Sequence, residues 1–94
     1  MITEIANITV AEGNEAAFDK AMRDGGIAAL SACPGVGSVR FGRGVENPSI
    51  FAFVVEWDSL AAHDAARATE TFATFRAAIA PYGIGGSMQH FTLD

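Results

Sequence analysis

The chain has 94 residues, half of them hydrophobic and 18% charged, and carries a net charge of −5 from six basic and eleven acidic side chains. That length makes residues 1–94 a single domain near the low end of the usual range, and the composition is too apolar for a disordered segment. Lys20, Arg23, Arg40, Arg43, Arg67 and Arg76 are scattered without forming a patch or stripe, which argues against nucleic acid and against an anionic membrane surface as partners.

In chain order, residues 2–11 are dense in β-branched side chains (Ile2, Thr3, Ile5, Ile8, Thr9, Val10) and read as a strand. Gly13-Asn14-Glu15 follows, with Asn14 as the expected N-cap and Glu15 suited to the first helical turn. The alanine-rich stretch to about Ala32 reads as a helix with Phe18 and Met22 on one face, interrupted by Gly25-Gly26 as a kink or a close backbone approach. Pro34-Gly35 stops it, and residues 36–45 form a second strand through Val36, Val39, Phe41 and Val45.

After a turn at Glu46-Asn47-Pro48-Ser49, the run Ile50-Phe51-Ala52-Phe53-Val54-Val55-Glu56-Trp57 is apolar on both alternating faces up to Glu56. A strand in a sheet with one solvated face would alternate apolar and polar instead. Asp58-Ser59 caps a short helix at about 59–67. A second helix at about 69–81 carries Phe72, Phe75, Ile79 and Tyr82 along one face. Residues 84–93 read as the last strand. The order β-α-β-β-α-α-β fits a four-stranded antiparallel sheet with helices on one face, the ferredoxin-like α+β arrangement. Nothing in the chain is left to cover the other face, so a second copy of the sheet is expected there, giving a homodimer.

The single cysteine, Cys33, allows no intrachain disulfide and reads as a small apolar residue near a helix end. No basic region followed by a long apolar run marks the N-terminus, and no stretch reaches membrane-span length, so the cytoplasm is the expected location. The glycines at 35, 37, 83, 85 and 86 do not form a nucleotide-binding fingerprint.

Several pieces of the chain together resemble the antibiotic biosynthesis monooxygenase family of the dimeric α+β barrel superfamily. They are Gly13 with its acidic follower, Cys33-Pro34-Gly35-Val36, the block Val55-Glu56-Trp57-Asp58-Ser59-Leu60-Ala61-Ala62-His63, then Thr69, Phe72, Phe75-Arg76 and His90-Phe91. The resemblance covers nearly the whole chain, and the Trp57-Asp58-Ser59 block leading to His63 is its most specific part. It implies two sheets packed into a barrel, helices outside, and a cavity between each sheet and its helices. In several members that cavity takes a polycyclic phenol or quinol, and oxygenation proceeds without metal or flavin. Haem-degrading relatives use an asparagine, a tryptophan and a histidine at positions that here carry Ala6, Ala66 and Arg76, so this chain departs from their pattern. Asn7 is expected to face away from the cavity.

His63 and His90 are the candidate catalytic residues, because an imidazole can accept a phenolic proton near neutral pH. Strand alternation alone leaves the face of His90 open. Trp57, Phe72, Phe75 and Tyr82 are the candidate substrate-binding residues, each also readable as core. Two histidines without a third partner at defined spacing imply no metal site, and no cofactor is expected. Three function classes follow: a cofactor-independent monooxygenase on a small aromatic, quinol-like or polyketide-like substrate; a polyketide cyclase or isomerase; and a non-catalytic ligand-binding dimer.

Overall fold

The computed structural model describes residues 1–94. Strands β1 (Ile2–Val10), β2 (Val36–Arg43), β3 (Ile50–Trp57) and β4 (Gly83–Phe91) form one sheet in the order β2-β3-β1-β4. Every neighbouring pair is antiparallel. Helices α1 (Glu15–Ala21) and α2 (Ile27–Ser31) connect β1 to β2, while α3 (Leu60–Ala66) and α4 (Glu70–Ile79) connect β3 to β4. This is the ferredoxin-like β-α-β-β-α-α-β fold expected from the sequence.

Local chemistry sets the element ends. The Ser59 hydroxyl accepts the Ala62 N–H at 3.0 Å and starts α3, and the Thr69 hydroxyl accepts the Phe72 N–H at 3.3 Å and starts α4. Asn14, the expected cap of α1, makes no side-chain cap bond. Glu15 takes over: its carboxylate accepts the Gly13 N–H at 2.8 Å and the Ser49 hydroxyl at 2.7 Å, tying the helix start to the entry of β3. The Ser49 hydroxyl, assisted by backbone N–H groups, holds the Glu15 carboxyl below its usual range. Gly35, at φ +89°, makes the turn into β2.

The glycine pair does not break the first helical stretch. Met22–Gly26 forms a π-helical turn joining α1 to α2. A Cβ on Gly26 would lie 2.7 Å from the Met22 Cε, so a side chain there would force the end of the buried Met22 to shift.

The core lies between the helices and one face of the sheet. Along β3 the side chains alternate: Phe51, Phe53, Val55 and Trp57 are buried under the helices, and Ile50, Ala52, Val54 and Glu56 are half-buried on the opposite face. On that second face the Thr3 hydroxyl donates to Glu56 Oε1 at 3.1 Å. The doubly apolar strand therefore has one face packed inside the chain and one left without cover. Cys33 is buried, with its sulfur 3.3 Å from the Thr71 hydroxyl.

Candidate functional site

A cavity of about 420 Å³ separates the sheet from the helices, within the usual range for small-molecule sites. Phe53 and Val55 of β3, Phe72, Phe75 and Ile79 of α4, and Leu30 of α2 make it apolar. The spacing that predicted one face on α4 is the reason for the aromatic wall: Phe72 and Phe75 sit three apart, their rings 5.8 Å from each other, and Phe75 meets Phe53 edge-on at 5.4 Å. Arg67 and Arg76 also border the cavity. The Arg76 guanidinium lies 4.8 Å from the Phe72 ring centroid, and neither arginine has a carboxylate partner.

The polar groups gather where β1 meets α3 and β4. Along β1 the lining takes Glu4, Ala6 and Ile8, alternate residues that share one face, and Asn7, expected to face away from the cavity, borders it as well. Glu4 pairs in register with His90 on β4, which fixes His90 on the same, helix-side face. His63 projects from α3 onto the same point and is almost fully buried, not a half-exposed helix residue. The Nε2 atoms of His63 and His90 lie 3.8 and 3.9 Å from Glu4 Oε1, and their rings are 4.4 Å apart. Glu4 Oε1 accepts the Trp57 indole N–H at 2.8 Å, and the Trp57 and His63 rings meet edge-on at 5.1 Å. The other nitrogen of His63, Nδ1, lies 3.6 Å from Asp64 Oδ1.

Of the residues singled out from the sequence, the fold brings His63, Phe72 and Phe75 to the cavity and sets His90 directly behind His63 and Glu4. Trp57 stands apart from the lining. It is fully buried and acts on the site by fixing Glu4. Tyr82 is also away from the cavity. Helix α4 ends at Ile79, the Tyr82 N–H turns back to the Ile79 carbonyl at 2.9 Å, and the ring packs edge-on against Phe18 at 6.2 Å. The helical spacing that grouped Tyr82 with Phe72 and Phe75 does not extend past that turn. The sequence offered no third partner at defined spacing for the two histidines; the fold sets Glu4 Oε1 3.8 and 3.9 Å from them. Sequence reasoning missed Glu4. Its signal was a charged residue at an inward position of a strand whose other inward residues, Ile2, Ala6, Ile8 and Val10, are apolar.

A largely apolar cavity between sheet and helices, with Glu4 and the two histidines gathered at one end, defines the class: a small α+β domain of ferredoxin-like topology. Within that class the chain belongs to the antibiotic biosynthesis monooxygenase family, whose profile matches residues 1–78. Solved structures with the same fold include a Bordetella bronchiseptica protein assigned to the antibiotic biosynthesis monooxygenases (24% identity, TM-score 0.89, covering 99% of this chain and 96% of that one). PA3566 from Pseudomonas aeruginosa is another (22% identity, TM-score 0.81, 98% and 92%). SnoaB from Streptomyces nogalater, a cofactor-independent oxygenase, is a third (19% identity, TM-score 0.82, 99% and 92%). No curated protein sequence matches the chain. No helix is long and apolar enough to cross a membrane.

Proposed function

We propose that the chain is a cofactor-independent monooxygenase acting on a small aromatic, quinol-like or polyketide-like substrate held between sheet and helices. The observation that carries this reading is the position of His63: a buried imidazole on the wall of an apolar, aromatic-lined cavity, with the Glu4 carboxylate beside it. A neutral imidazole there accepts the phenolic proton of the substrate, and Glu4 faces the imidazolium that forms. The substrate anion then meets oxygen away from water. One oxygen atom becomes the new carbonyl and the other leaves as water, with the electrons coming from the substrate. His90 backs the pair and is the second candidate acceptor. Phe72 and Phe75 hold the ring system, and Trp57 contributes through its bond to Glu4.

Oxygen uptake by the purified protein supplied with an anthrone or a quinol tests this. About one oxygen per substrate turned over is expected. Ring closure or isomerisation that proceeds without oxygen would instead identify a cyclase or isomerase. Saturable binding of the same compounds with no turnover would identify a non-catalytic binding dimer.

We also propose a single-domain homodimer working in the cytoplasm, the two copies meeting through the uncovered sheet face. The half-buried Ile50, Ala52 and Val54 on that face support it. Equilibrium sedimentation at micromolar concentration should give the dimer mass. Val54→Asp puts one unpaired carboxylate per copy into that interface and should give the monomer mass with the helical signal unchanged. A folded wild-type monomer at that concentration would sink the assembly.

A further inference from the structure

We propose that Glu4, His63 and His90 bind one divalent first-row transition ion of the Zn²⁺ type per chain, through one carboxylate oxygen and two imidazole nitrogens. The three side chains come from β1, α3 and β4, and their ligand atoms lie within 4.8 Å of one another. Ligand bonds to such ions are about 2.0–2.2 Å long, so two donors on one ion stand roughly 3–4 Å apart. The two imidazole-to-carboxylate distances, 3.8 and 3.9 Å, fall in that range. They are too long for direct hydrogen bonds. A single cation between the three groups satisfies all of them at once, and small rotations of the side chains close the remaining gap.

The donor set has the chemistry for this. Two imidazoles and one carboxylate suit divalent ions from iron to zinc, and such sets leave coordination positions open. Here the open side is the cavity, since Glu4 and His63 both line it. The surrounding shell also fits. Metal-bound carboxylates are themselves hydrogen-bonded. The Trp57 indole N–H holds Glu4 Oε1 at 2.8 Å, while His63 Nδ1 and His90 Nε2 are buried without a hydrogen-bond partner, so both imidazoles have an uncommitted nitrogen at the site. The site is buried, with the His63 side chain 4% and the Glu4 side chain 10% exposed, which separates it from the solvated acidic clusters found on many surfaces.

Ion binding is independent of the reaction assigned above; its consequence for turnover rests on that reading. A neutral imidazole has one lone pair, and an ion that takes it leaves His63 unable to accept a proton. The bound ion therefore holds the monooxygenase site shut, and a chelator reopens it.

Equilibrium dialysis of the intact protein against Zn²⁺ alone, with Co²⁺ as a spectroscopic probe, tests the binding without any substrate. One Zn²⁺ per chain is expected, together with a visible Co²⁺ band. Glu4→Gln and His90→Ala should each weaken binding by at least about 10²-fold. Variants are compared only where circular dichroism shows them folded. Nitrogen-detected NMR of the wild-type imidazoles serves in any case, because the chain has two histidines. Zn²⁺ must shift ring nitrogens of both. No saturable binding at millimolar ion, undiminished binding in folded His90→Ala, or a His90 ring that does not respond overturns the site. Zn²⁺ binding without inhibition of turnover would leave the site standing and remove His63 as the proton acceptor.

Discussion

Replacing His63 by alanine is expected to lower turnover on an oxygenated substrate by about 10²–10⁴-fold, the usual worth of a positioned general base. On the proposed reading the loss should fall on kcat more than on KM, because the substitution leaves the aromatic cavity wall of Phe72 and Phe75 in place. The side chain is buried against Trp57 and His90, so the variant should lose some stability, and its fold has to be verified by circular dichroism before rates are compared. His90→Ala provides the contrast. His90 sits behind Glu4 and His63 and is absent from the cavity lining, so its removal should cost less than removal of His63. Full activity of a folded His63→Ala variant would move the proton acceptor to His90 or to the substrate itself.

The largest effect on stability is expected from Phe18→Ala, at about 3–5 kcal/mol. Phe18 has no solvent exposure and joins both halves of the core: its ring lies 4.8 Å from Phe51 and 6.3 Å from Phe41 on the sheet, and 6.2 Å from Tyr82 beyond α4. Deleting the ring leaves a void among side chains fixed by two strands and two helical connections, which have little freedom to collapse into it. In a domain of this length each kcal/mol moves the thermal midpoint by about 4–8 °C. Urea unfolding followed by circular dichroism measures the loss. Phe18 lies outside the cavity lining, so ligand affinity of the folded fraction should change little. A loss below about 1 kcal/mol would mean that the core around Phe18 repacks and that its aromatic contacts carry little of the stability.

The order of elements was legible in the sequence because it rests on local chemistry. β-branched density marked β1, and the doubly apolar run marked β3 as a strand with two faces to bury. Ser59 and the Phe72, Phe75, Ile79 spacing marked the two later helices. The family was legible for a related reason: its most specific block, Trp57 through His63, is continuous in the chain. Local signals misled where a neighbour distant in sequence competed for the same group. Asn14 is a good cap by type, yet Glu15 caps the region because Ser49, thirty-four residues on, fixes its carboxylate. Gly25-Gly26 reads as a break, yet the chain absorbs it as a π-helical turn in which Met22 is buried against Gly26.

The sequence by itself determined that an apolar helix face and a histidine would lie near one another above a sheet, since both belong to the short stretch between β3 and β4. It could not determine what stands beside that histidine. Glu4, His63 and His90 are separated by 59 and 27 residues, and no periodicity links them. Strand alternation offered His90 two faces with equal warrant; the antiparallel register that pairs it with Glu4 chose one. Burial then gave the three groups their meaning. A glutamate at the second residue before Ala6 is an ordinary polar residue along the chain, but in the closed fold it is a carboxylate held by the Trp57 indole between two imidazoles. Tertiary structure decided the site, because only the packing of β1, α3 and β4 removes those groups from water and makes them depend on one another.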